Sequence, residues 1–152
     1  MNLSKILDDR IICVDMLADN KDEAITILSE KLKDACYIDD VESFKKDIYY
    51  RESLGVTGIG DYVAIPHGKS DSVKRIGIAI GKLKHEIEWE TLDDKGVKIV
   101  FLFAVSNNNE FAENHLMLLA EIASKLGSEE AIDKLLKAKS AGDIKNVFIE
   151  KE

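Results

Sequence analysis

The chain has 152 residues, 45% of them hydrophobic and 33% charged, with one proline and a net charge of −8. That length can bury a core without disulfides or metals, so a single domain over residues 1–152 is expected. The acidic balance excludes the usual nucleic-acid binder, which clusters Lys and Arg on one face, and leaves a basic protein partner or plain solubility as its reading.

Ile11 to Val14 is too short for a signal-peptide core and reads as an edge strand. Asn20 then caps a helix with the apolar stripe Ala24, Ile25, Leu28, Leu32, Ala35 and Cys36. Cys13 and Cys36 lack CxxC spacing, so no disulfide framework is expected. Asp39 or Asp40 starts a second helix, with Val41, Phe44 and Ile48 on one face. It ends near Leu54-Gly55, where glycine suits a left-handed terminus. Arg51 and Glu52 extend its inward stripe, where apolar residues would be usual.

Residues 55–72 are punctuated by glycine, with Tyr62-Val63-Ala64-Ile65 as a short strand that stops at Pro66. Ile76 to Gly81 alternates large and small residues, as a strand with one bulky face and one face for close approach. His85 follows in a charged segment that reads as a solvated loop. Val97 to Val105 is nearly unbroken in apolar residues, which suits a central strand covered on both sides. After the polar loop Ser106 to Asn109 comes a helix with Phe111, His115, Leu118, Leu119, Ile122 and Leu126 on its buried face. Ser128 and Ser140 are N-caps for two short closing helices, the second with Asp143 placed as in a capping box. There is no repeat or low-complexity linker, and no run near the roughly 20 apolar residues of a membrane span. The order implies an α/β fold with a mixed sheet flanked by helices. A cytoplasmic location is expected, with any membrane association through a partner.

Pro66 fixes the backbone before His67, and Gly68 leaves room beside the ring and for an anion-binding nest of amides. A neutral imidazole has one free lone pair and can attack phosphorus without a separate base, provided an acceptor holds its other nitrogen. His115 reads either as a packed core histidine or as a site residue after the C-terminal end of the central strand, where open α/β sheets bind ligands. Arg51 reads either as a helix C-terminal cation or as a bidentate phosphate clamp.

The run Arg51-Glu52-Ser53-Leu54-Gly55-Val56-Thr57-Gly58-Ile59-Gly60-Asp61-Tyr62-Val63-Ala64-Ile65-Pro66-His67-Gly68 closely resembles the phosphorylation segment of fructose/mannitol-type IIA domains of the phosphotransferase system. Nitrogen-regulatory IIA proteins share that segment, and the resemblance extends to Trp89 and His115-Leu116. It implies a IIA-type sandwich in which His67 takes a phosphoryl group from HPr and passes it to a IIB domain linked to a membrane IIC permease. Arg51 and His115 would stabilise the phosphoryl group, with Thr57, Glu52 and Gly68 as supporting residues and no cofactor or metal. The chain departs from the family at Ala104-Val105-Ser106-Asn107, where a proline is common. The alternative is a regulatory module of the nitrogen-regulatory type, in which phosphorylation of His67 switches binding to a transporter, kinase or transcription factor; a zinc hydrolase using His67 and His115 is a weak third reading, since three protein ligands and HExxH-type spacing are missing.

Overall fold

The computed structural model describes residues 7–107 and 112–149; of residues 112–116, 118 and 119 it describes the backbone alone. A short turn of 3-10 helix, Asp9–Ile11, leads into β1, Ile12–Met16. Helices α1, Lys21–Asp34, and α2, Val41–Leu54, follow. Then come β2, Gly58–Gly60, β3, Val63–Ala64, β4, His67–Ser70, β5, Gly77–Ile87, and β6, Val97–Ser106. Helices α3, Ala112–Leu126, α4, Glu129–Lys137, and α5, Ala141–Ile149, close the described chain.

The six strands form one mixed sheet in the order β1-β5-β6-β3-β2, with β4 also on β6. β1 pairs in parallel with β5, and β5 is antiparallel to β6. The sheet alternates along β6, as a strand buried on both faces must. Val100, Leu102 and Ala104 join Leu28, Leu32, Phe44 and Ile48 of α1 and α2. Ile99, Phe101, Phe103 and Val105 join Ile122, Leu135, Ile144 and Phe148 of α3 to α5. The result is a helix–sheet–helix sandwich.

The large-and-small alternation of β5 has the expected purpose. A Cβ on Gly77 would lie 2.6 Å from Tyr37, and one on Gly81 would lie 2.5 Å from Met16, while Ile78 and Ile80 fill the other face. The expected caps form as well. Asn20 accepts from the Glu23 amide, Asp40 from Ser43 and Ser128 from Ala131. Ser140 accepts from the Asp143 amide, and the Asp143 carboxylate reaches back to the Lys139 amide.

Several local expectations need correction. Cys36 is not on the helix stripe: α1 ends at Asp34, and Cys36 is exposed beyond it with φ 66° while Tyr37 N–H closes onto the Leu32 carbonyl. Gly55 is extended rather than left-handed, at φ 163°, and its carbonyl is taken by the Arg51 guanidinium. His85 is exposed but lies within β5 rather than in a loop, because that strand continues past a register shift to pair Ile87 with Val97. The strand expected over residues 62–65 shrinks to Val63–Ala64. Asp61 and Tyr62, at φ 55° and 69°, form the two-residue turn between β2 and β3, whose positive dihedrals suit the twist of a tight hairpin. Past Pro66 the strand resumes as β4.

Candidate active site

β3 and β4 are two pieces of one interrupted strand beside β6, with β2 on the other side of β3. Val63 lies opposite Ile99, Ala64 opposite Val100 and His67 opposite Phe103, so the register is kept across the break. Proline has no amide hydrogen, and Pro66 joins the sheet through its carbonyl alone, which accepts from the Phe103 amide at 2.9 Å. Ile65 faces outward between the two pieces. Its amide donates to the Thr57 carbonyl at 2.9 Å, and its carbonyl meets Nδ1 of His67 at 2.7 Å.

That last distance determines the state of the ring. A carbonyl oxygen can only accept, so Nδ1 carries the hydrogen and Nε2 keeps its lone pair when the imidazole is neutral. The His67 ring stacks on Phe103 with centroids 5.1 Å apart and 10° between planes. Burial, the largest influence, pushes its pKa below the ordinary value of 6.5; the Ile65 carbonyl opposes that, the Arg51 charge adds to it and Glu52 opposes it. The neutral ring is therefore favoured near neutral pH.

The ring borders a depression of about 380 Å³ lined by Ile59, Ile65, Phe103, Ile122 and Leu126, with Asp61 at its polar side. Helix α3 forms one wall. His115 lies in the first turn of α3, two helical turns before Ile122, and its side chain is outside the described residues, as is Phe111.

Gly68 does not leave the space expected beside the imidazole. Its neighbour is Phe44 of α2, whose ring would lie 2.3 Å from an added Cβ, on the sheet face opposite His67. The glycine admits a core phenylalanine, so the expected room beside the ring is corrected to a packing contact.

Arg51 and Glu52 stand side by side at the end of α2. Arg51 donates from Nη1 to the Gly55 carbonyl at 3.1 Å, one of five donors on a planar group suited to phosphate oxygens. Glu52 turns inward, with 8% of its side chain exposed, and accepts from the Thr57 hydroxyl at 2.7 Å. Thr57 is buried and also accepts from the Trp89 indole at 3.3 Å. Lys21 completes the cluster, 2.6 Å from Glu52 and 2.9 Å from Glu90, with its ammonium 5.0 Å from the centre of the Trp89 ring. Burial lowers the Lys21 pKa, but its hydrogen bonds to Glu52 and Glu90 outweigh that and hold it above the ordinary value.

Sequence reasoning did not single out Lys21, Phe103 or the Ile65 carbonyl. Phe103 could have been found from its register in β6. Lys21 gave a weaker signal, a cation in the first turn of a helix, where the macrodipole disfavours positive charge. The carbonyl, a backbone group, had none. Among the described residues no three His, Cys, Asp or Glu side chains converge as a metal site.

The profile of the family described as "Phosphoenolpyruvate-dependent sugar phosphotransferase system, EIIA 2" matches residues 5–151. The chain belongs to that family. It is 30% identical to the 2-O-alpha-mannosyl-D-glycerate-specific EIIABC component of Escherichia coli over 99% of its own length and 23% of the relative's. It is 29% identical to the fructose-specific EIIA component of Haloferax volcanii, over 98% of this chain and 96% of that one. The crystal structure of nitrogen regulatory protein IIA-Ntr from Neisseria meningitidis superposes with a TM-score of 0.86 at 25% identity, covering 96% of this chain and 98% of the other. The mixed six-stranded sheet with helices on both faces is thus the IIA sandwich that the resemblance of residues 51–68 implied. No helix among the described residues is long and apolar enough to cross a membrane.

Proposed function

We propose that residues 1–152 act as one cytoplasmic IIA unit that accepts a phosphoryl group from phospho-HPr on Nε2 of His67 and passes it to a IIB domain. The observation that carries this reading is the 2.7 Å contact between His67 Nδ1 and the Ile65 carbonyl, which presents Nε2 as an unprotonated nucleophile. Phosphoryl transfer needs alignment and charge stabilisation more than covalent chemistry from the protein. In this reading the lone pair of Nε2 forms the N–P bond as the donor's P–N bond breaks, and that N–P bond breaks in turn as a nucleophile of the IIB domain attacks phosphorus. Arg51 stabilises charge on the phosphoryl oxygens, His115 is proposed as the second stabilising group, and Thr57 and Glu52 support the loop that carries His67. The chemistry needs no cofactor or metal. The acceptor belongs to a IIB domain coupled to a membrane permease; fructose is the first sugar proposed, after the Haloferax volcanii relative's name, with mannitol or galactitol as the alternatives.

The test is incubation with enzyme I, HPr and phosphoenolpyruvate, followed by transfer to a panel of IIB domains. Wild type should take up acid-labile phosphate and His67→Ala should not; equal uptake by both would refute the assignment. Phosphohistidine NMR should show the Nε2 adduct, and an Nδ1 adduct alone would overturn the tautomer argument.

The TM-score of 0.86 with IIA-Ntr favours one second reading, a regulator whose charge at His67 switches docking to a transporter, kinase or transcription factor. Phosphorylation without delivery to any IIB domain, together with partner binding that changes on phosphorylation, would select it.

A further inference from the structure

Every group between Lys21 and the imidazole is held by the next. The Lys21 ammonium lies 2.6 Å from Glu52, and Glu52 accepts from the Thr57 hydroxyl at 2.7 Å. The Thr57 carbonyl accepts the Ile65 amide at 2.9 Å, and the Ile65 carbonyl takes His67 Nδ1–H at 2.7 Å. Trp89 braces the middle of this path twice, through its indole on Thr57 Oγ1 and its ring under Lys21. The path links three separate parts of the chain: the start of α1, the end of α2 and the segment around the interrupted strand.

Two features make Lys21 more than a surface cation. It occupies the first position of α1, where the helix dipole opposes positive charge, so helix formation does not account for it. Its main partner is also a carboxylate withdrawn from solvent, with 8% of its side chain exposed, and the Lys21 ammonium meets it at 2.6 Å. Glu52 in turn meets the ammonium through Oε1 and the threonine hydroxyl through Oε2. An ionised Glu52 accepts a stronger hydrogen bond from Thr57 than a neutral group would.

We propose that Lys21 is a positioning residue for phosphoryl transfer: through the Glu52–Thr57–Ile65 chain it holds His67 in the Nδ1–H tautomer, with Nε2 ready to attack. The proposal rests on the phosphohistidine reading above for its kinetic consequence, but not for its effect on the ring. Lys21 touches no reacting atom in this scheme. Its effect reaches the nucleophile through the position of the Ile65 carbonyl.

The experiment compares the intact chain with Lys21→Met, Lys21→Arg and the double variant Lys21→Met/Glu52→Gln. The double variant covers the case in which Lys21→Met fails to fold around an unpaired carboxylate. Nitrogen-15 NMR of the His67 ring reports the tautomer without any phosphoryl donor. Lys21→Met and the double variant should shift His67 from a single Nδ1–H form to a mixture and slow phosphorylation by about tenfold, the effect of losing one fixed hydrogen bond. Lys21→Arg should restore the tautomer and most of the rate. A lower melting temperature with an unchanged tautomer in the double variant would overturn the proposal, since a merely structural ion pair behaves that way. Failure of Lys21→Arg to restore the tautomer would also count against it. If the intact chain took no phosphate at all, the proposed function would fall while the tautomer comparison still judged Lys21.

Discussion

Gly68→Ala separates a packing role for that glycine from a role in binding phosphate. The added Cβ would lie 2.3, 2.5 and 3.0 Å from three carbons of the Phe44 ring. Carbon atoms in contact prefer roughly 3.5–4.0 Å, so the ring must retreat by about an ångström or more. Phe44 is fully buried among α1, α2 and the sheet, and an aromatic ring cannot fold away as a flexible chain end can. Overpacking of this kind costs about 1–3 kcal/mol, and the rigid partner argues for the upper end. For a chain of this length that corresponds to a fall of roughly 6–12 °C in melting temperature. Phe44→Leu on the same background should recover part of the loss, because the two sites share one space. Calorimetry of the single and double variants measures both effects, and phosphate uptake by His67 should stay near normal at temperatures where Gly68→Ala is folded. A variant with unchanged melting temperature but severely reduced uptake would refute the packing argument and restore the anion-binding one.

The lowered pKa of His67 makes stability depend on pH in a defined direction. The unfolded chain takes the proton first as pH falls below 6.5, so this contribution is complete above 6.5 and is lost as pH falls through the lower folded value. His67→Gln should show a shallower acid loss of urea midpoint in that window; an identical slope would contradict it. Thr57→Val leaves the Glu52 carboxylate and the Trp89 indole without their shared hydroxyl, and should cost about 1–3 kcal/mol in urea unfolding, with a change in tryptophan fluorescence. Asp61 has φ 55°, and its amide, not its side chain, bonds to Asp93. Asp61→Gly should therefore be neutral or mildly stabilising, whereas Asp61→Val, β-branched in a left-handed turn, should lose about 1–2 kcal/mol; equal stability of the two would remove the strain argument.

The parts of the fold set by burial periodicity were readable from the residues. β6 was legible because its apolar run is covered on both faces, and α1 because Ala24, Ile25, Leu28 and Leu32 repeat at helical spacing. Interruptions were less readable. A proline after Ile65 signals the end of a strand, and nothing in the local pattern of His67 to Ser70 announces that the strand resumes in register, since its pairing is with residues far along the chain. The end of α1 was misplaced for a related reason: Cys36 continues the apolar spacing, but the chain needs a left-handed residue there to bring Tyr37 under Gly77. In the site, His67, Arg51 and Glu52 stood out through residue type and position. Lys21 and the Ile65 carbonyl did not, because their importance comes from which groups meet after folding.

The interrupted strand explains how the ring of His67, the proposed nucleophile, is oriented at this place. In a parallel strand a residue directs its amide and carbonyl to the same side, so while Ala64 and Pro66 face β6, Ile65 faces away from it, towards the side of β2. Its amide is met by Thr57, just before β2 begins, and its carbonyl is left for a side chain. Restarting the strand at the second residue beyond Ile65 places the His67 ring within 2.7 Å of that carbonyl and over Phe103. A main-chain carbonyl at the break in the strand thereby fixes a tautomer, and the sheet supplies an orienting group without a buried carboxylate. The economy has a chemical consequence. A carboxylate partner would raise the imidazole pKa and favour the protonated ring, whereas a neutral carbonyl orients Nε2 and leaves burial free to keep it unprotonated.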